Sequence, residues 1–139
     1  MFKGFRIAAS AMSAQRVRLN LVSSNLANVN TTRTQEGGPY KRMRPVFSSV
    51  LAGSSDPDSP DAALRGVEVV SIDKDQRQGS IIHDPGHPDA DENGNVEMPN
   101  VNVMEEMVDM MTASRSFEAN VQAFSSLKEM VLRSLDIGR

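Results

Sequence analysis

Val103-Met-Glu-Glu-Met107-Val-Asp-Met110-Met-Thr-Ala-Ser114-Arg-Ser-Phe117-Glu-Ala-Asn120-Val121-Gln-Ala-Phe124 repeats apolar side chains at alternating steps of four and three. Counted from Val103, the row is Met107, Met110, Ser114, Phe117, Val121, Phe124, Lys128, Val131 and Leu135. Such spacing lays one row along one stripe of a helix, and a repeat kept over several heptads suits packing against another helix. The opposite end of the chain repeats the pattern. Phe5, Ala8, Met12, Gln15, Leu19, Val22, Leu26 and Val29 are apolar but for one Gln. The expectation is a mainly α chain with long N- and C-terminal helices forming a coiled-coil assembly layer.

Punctuation sets the bounds. The first helix is expected from about Phe5 to about Ala27, ended by Asn25, Asn28 and Asn30, residues that tolerate the left-handed conformation, before Thr31 and Thr32. Asn102, with Glu105 three residues on, reads as N-cap and capping-box acceptor of the second helix, which runs to about Ile137 before Gly138. Gly37-Gly38-Pro39 is a turn. Tyr40 to Leu51 reads between strand and coil, with Pro45 arguing against a central strand. Gly53 to Asp61 is a polar linker, and Gly86 to Asn95 a loop. Val67-Glu-Val-Val-Ser-Ile72 reads as a strand, with Gly79-Ser-Ile-Ile-His83 as its partner in a small β-hairpin. Three regions result: 1–35, an assembly helix with an Asn/Thr segment; 36–100, a loop-rich middle; and 101–139, a second assembly helix.

Composition bounds the class. The 139 residues are 39% hydrophobic and 24% charged, one domain's worth of chain. Five Phe and one Tyr, with no Trp, leave nine Met as adaptable packing material, so the internal core is modest. Without Cys there is no disulfide, thiolate metal site or cysteine nucleophile. Residues 1–44 hold eight bases against Glu36, a net of +7, while the remainder carries −10. That asymmetry fits solvated helix faces, or a basic part meeting an acidic surface on another copy, a lipid headgroup layer or nucleic acid.

No run reaches the roughly 18 apolar residues of a membrane span. Arg16 and Arg18 interrupt the short apolar run Ile7 to Met12, which makes a secretory signal a poor fit. Residues 1–35 are basic and free of acid like a transit peptide, but the heptad leads into a patterned Asn/Thr segment rather than a cleavage region.

Asp89-Ala-Asp91-Glu-Asn93-Gly94-Asn95-Val96 matches the opening of a calcium loop, yet its twelfth position is Asn100, after Pro99, and no helix leads in. A polar turn at Asn93-Gly94 is the better account. His83 and His87 are metal-ligand types, but Pro85, Gly86 and Pro88 exclude the helical turn that would align them. No nucleophile, base and orienter stand in a recognisable motif, and the basic third lacks the interleaved aromatics of a single-strand binder. No catalytic residue, cofactor, metal or nucleic-acid partner is therefore assigned.

Polar residues inside the stripes say more. Asn25 and Asn28 beside Leu26 and Val29, and Ser114, Arg115 and Asn120 in the second stripe, belong to packing whose partner and register are fixed by polar groups. The expected subunit-interface set is Phe5, Ala8, Met12, Leu19, Val22, Asn25, Leu26, Asn28 and Val29, with Val103, Met107, Met110, Ser114, Phe117, Asn120, Val121, Phe124, Val131 and Leu135. A private two-helix hairpin within one chain is the plainer alternative.

Ser24-Asn25-Leu26-Ala27-Asn28-Val29-Asn30-Thr31 resembles the N-terminal signature of the bacterial flagellar rod and hook family, and Ser114-Arg-Ser-Phe117-Glu-Ala-Asn120-Val121 its C-terminal counterpart. The usual Gly-aromatic pair after the Thr is replaced by Thr32-Arg33-Thr34 and Gly37-Gly38-Pro39-Tyr40. This departure looks like the short proximal-rod members, as do Asp84-Pro-Gly-His-Pro-Asp-Ala-Asp91, Met98-Pro-Asn-Val101 and Leu135-Asp-Ile-Gly-Arg139. The resemblance implies a non-enzymatic structural subunit of the basal body that transmits torque. It further implies export by the flagellar type III apparatus without a cleaved signal, and assembly in the periplasm with copies of itself and other rod proteins. Terminal helices would pack around the rod axis, with the middle outward. The alternative from another class is a small calcium- or membrane-responsive binding module.

Overall fold

The computed structural model describes residues 2–51 and 64–138. The linker expected at Gly53 to Asp61 lies outside the described residues. Element order is α1 (Phe2–Ala27), β1 (Met43–Leu51), β2 (Arg65–Lys74), β3 (Ile81–His83), β4 (Asn95–Glu97) and α2 (Val103–Ile137). The two helices hold 26 and 35 residues, roughly 39 and 52 Å of axis at 1.5 Å per residue.

The helices pack antiparallel. At one end Asn25 bonds Glu106; at the other a side chain on Gly4 would meet Leu127, and Phe5 and Phe124 stack edge to face with ring centroids 4.9 Å apart. Because Gly4 already sits opposite Leu127, the last two turns of α2 run past Phe2. The buried and half-buried row of α2 is Glu106, Met110, Ala113, Phe117, Asn120, Phe124, Leu127 and Val131, again in alternating fours and threes. This seam is shifted from the row counted from Val103: it shares Met110, Phe117, Phe124 and Val131, and exchanges Ser114 and Lys128 for Ala113 and Leu127.

The second face of α1 packs on the antiparallel β1–β2 hairpin. Ala14 and Leu21 are buried, and the Ser10 hydroxyl accepts from Val67 N at 3.3 Å. Pro45 is tolerated because each strand of a two-stranded sheet keeps an open edge, and a register shift between Val46 and Phe47 bends β1.

The expected small hairpin exists, but with different pairing. Val67 to Ile72 lies in β2 and pairs with β1, while the Ile81–His83 part of the proposed partner pairs with β4. The cause is local. Asn100 Nδ2 donates to the carbonyls of both Asp75 and Arg77 at 2.9 Å, and Asp75 N donates to Arg42 O at 2.8 Å, turning the chain away from β2. Gly79 then passes so close to the Met98 and Pro99 backbone that an added Cβ would lie 1.8 Å from Met98 O.

Helix ends follow the chemistry with one correction. Asn102 Oδ1 accepts from Met104 N at 3.0 Å and Glu105 N at 3.5 Å, and Gly138 ends α2. At the end of α1, no described Asn has positive φ. Instead Asn28 Nδ2 returns to Ser24 O at 2.9 Å, and Thr31 Oγ1 donates to Asn28 Oδ1 at 3.1 Å. Side-chain capping replaces the left-handed residue.

Candidate assembly interface

The apolar rows meet a buried polar centre where α1 ends and α2 begins. Asn25 uses its whole amide: Nδ2 donates to Met43 O at 2.9 Å and Glu106 Oε2 at 3.0 Å, while Oδ1 accepts from Met43 N and the Tyr40 hydroxyl, both at 2.9 Å. Arg42, the residue between Lys41 and Met43, donates Nε to Glu106 Oε1 and Nη2 to Asp109 Oδ2. Its backbone N donates to Asn100 Oδ1 at 2.7 Å. Glu106 and Asn25 are 0% and 1% exposed, so these bonds replace water entirely. Glu105, expected to close the capping box, has its carboxylate 3.9 Å from Arg42.

That centre answers the charge asymmetry within one chain. Arg18 reaches Asp109 at 2.8 Å, Arg33 reaches Asp89 at 3.5 Å, Lys41 reaches Glu97 at 3.5 Å, and Arg42 reaches Glu106. Bases of the first 44 residues meet acids of the C-terminal half. Asp75 is gripped by Arg77, whose guanidinium and backbone hydrogen bonds hold its carboxyl at about 2.

The calcium-like segment is a turn. Asp91 Oδ1 accepts from Asn93 N and Asn95 N, Gly94 sits at φ +75°, and Asp89 is taken by Thr32 and Arg33. His83 meets Asn95, and His87 accepts from Asp89 N. Among the described residues no cluster of three or more His, Asp or Glu could hold a metal.

The nineteen expected contact residues divide. Ala8, Val22 and Asn25 are buried within the chain; Phe5, Met12, Leu19, Leu26, Asn28 and Val29 are half-buried. On α2, Met110, Ser114, Phe117, Asn120, Phe124 and Val131 are half-buried, whereas Val103, Met107, Val121 and Leu135 are exposed. The side-chain hydrogen bonds of Asn25 are all made inside the protomer.

Sequence reading missed the fullest exposed row. Among the described elements α2 packs on α1 alone, so its outer side carries Met104, 71% exposed, with Met107, Val108 and Met111. Counting from Val103 mixed this row with the seam. The resolving signal was long-range: Glu106 belongs inside because Arg42, 64 residues earlier, covers it.

A family model described as "Flagella basal body rod protein" matches residues 5–35, and one described as "Flagellar basal body rod FlgEFG protein C-terminal" matches residues 92–137. Curated relatives match nearly end to end. The flagellar basal-body rod protein FlgC of Borreliella burgdorferi is 42% identical over 99% of this chain and 97% of the relative. That of Salmonella typhimurium is 42% identical over 97% and 96%, and that of Bacillus subtilis 40% identical over 99% and 98%.

Proposed function

This chain belongs to the FlgC family of flagellar basal-body rod proteins and is a structural subunit of the rod, and from that premise we propose that it joins its neighbours through the outer face of α2. The observation that carries this reading is the one-sided packing of α2, which leaves Met104, Met107, Val108 and Met111 in water. A contiguous apolar row of that kind on a soluble surface marks a contact site. Val103 adjoins Met107 one turn away, and Leu135, one turn beyond Val131 on the seam stripe, is exposed where α2 overhangs α1. The seam residues, Phe5 to Leu26 on α1 and Met110 to Val131 on α2, build the protomer that presents this face.

The partners are other rod proteins and further copies of this chain. Residues 1–35 and 101–139 supply the assembly layer, and residues 36–100 brace it. The chain passes through the flagellar type III apparatus without a cleaved signal, takes its place in the periplasmic part of the rod, and transmits torque without catalysing a reaction. No described helix is long and apolar enough to cross a membrane.

The test is Met104→Glu with Val108→Glu and Met111→Glu. These side chains leave the seam untouched, so the variant is expected to fold and be secreted, yet fail to enter rods and abolish swimming. Normal swimming would overturn the reading.

A further inference from the structure

The α2 seam from Met110 to Val131 is apolar but for the half-buried Asn120, whose Nδ2 donates to Ser116 O of its own helix. Met110, Ala113, Phe117, Phe124, Leu127 and Val131 would accept almost any apolar helix, including the α2 of another copy. Glu106 is the exception. It is 0% exposed, and its two oxygens are taken by Arg42 Nε and Asn25 Nδ2. Those two donors arrive as one unit, because Asn25 clamps both the N–H and the carbonyl of Met43, next to Arg42. A helix lacking that unit would leave a carboxylate buried without partners, a heavy penalty.

We propose that Glu106 is the specificity-determining residue of the seam, admitting α1 with its trailing Arg42 and excluding the α2 of a second copy. Two α2 helices joined in parallel and in register through this seam would bring Glu106 and Asp109 of both copies together, with the nearest base of α2, Arg115, about two turns further along. The role concerns pairing at the inner seam and holds whichever outer face meets neighbouring subunits. A buried ion pair of this kind contributes choice of partner more than stability, since well-packed apolar replacements of such pairs are often neutral or stabilising.

The chain has no Cys, so a single introduced thiol reports pairing without ambiguity. Ala113→Cys places it at a fully buried seam position. In the full-length protein, oxidation of Ala113→Cys alone is expected to give little disulfide-linked dimer. With Arg42→Met and Glu106→Leu added, the dimer fraction should rise roughly tenfold, while the urea midpoint stays at or above that of the native chain. Glu106→Gln, which keeps an acceptor for Asn25 and loses the charge, should fall between. Equal dimer fractions in the native and doubly substituted backgrounds would overturn the proposal. So would a doubly substituted chain that is destabilised or unfolded, because the pair would then serve stability rather than selection.

Discussion

Asn25 and Glu106, 81 residues apart in sequence, meet through a 3.0 Å hydrogen bond at a point where neither side chain is more than 1% exposed. The bond joins the last turn of α1 to the first turn of α2. With Arg42 and Tyr40 closing around it, this centre ties both helices to the segment leading into β1. Polar groups so buried stabilise only when every donor and acceptor is met, and here each oxygen and the amide nitrogen has a partner.

Arg42 and Arg18 both reach α2 carboxylates, but they should behave differently. Arg42→Ala strands Glu106 in the interior and is expected to cost about 3–5 kcal/mol, the usual consequence of breaking a buried pair. Arg18 and Asp109 keep 29% and 34% exposure, so Arg18→Ala should cost at most about 1 kcal/mol. Urea unfolding of both variants checks the contrast, and equal losses would contradict it.

Gln15 is the polar member of the N-terminal row. Its Oε1 is buried without a hydrogen-bond partner among the described residues. An unmet buried acceptor costs free energy, and Met has similar volume, so Gln15→Met is expected to stabilise the monomer by about 1 kcal/mol. A lower urea midpoint in this variant would show that the amide oxygen is satisfied in solution.

Hydrogen bonds from the Arg77 guanidinium and backbone hold the Asp75 carboxyl at about 2, below its ordinary 3.8. A carboxyl held below its unfolded value contributes stability above that value and loses it as pH falls through the folded one. Asp75 therefore contributes fully above about pH 4 and loses its contribution on acidification toward about pH 2. The difference in urea midpoint between the native chain and Asp75→Asn should be constant at higher pH and shrink across that window. A difference that does not change with pH would contradict the assignment.

Both long helices, the Asn102 cap, the Gly138 stop and the turn at Asn93-Gly94 were legible because each rests on local chemistry: periodicity, an acceptor at a helix start, or an Asx turn. What was not legible was set at long range. The strand Val67 to Ile72 was matched with the nearest β-like run, Gly79 to His83, whereas its true partner begins at Met43 and contains a misleading Pro45. Nothing near Gly79 announces that Asn100 will hold the carbonyls of Asp75 and Arg77. Which row of α2 faces α1 is set at long range too. A count from Val103 carries Ser114 and Lys128, and a count from Glu106 carries Glu106 and Asn120. Polarity alone does not choose between them until Arg42 and Asn25 are seen to cover Glu106.

A thiol footprint distinguishes an outer face of α2 that neighbouring subunits cover in the rod from one left in water. Met107→Cys lies on that face, and Val70→Cys lies on the exposed hairpin, where Val70 is 65% accessible. In the purified monomer both should react readily with a maleimide. In isolated basal bodies, labelling at Met107→Cys is expected to slow by roughly tenfold or more while Val70→Cys remains reactive. Labelling of Met107→Cys at the monomer's rate in intact basal bodies would show that no neighbouring subunit covers this face.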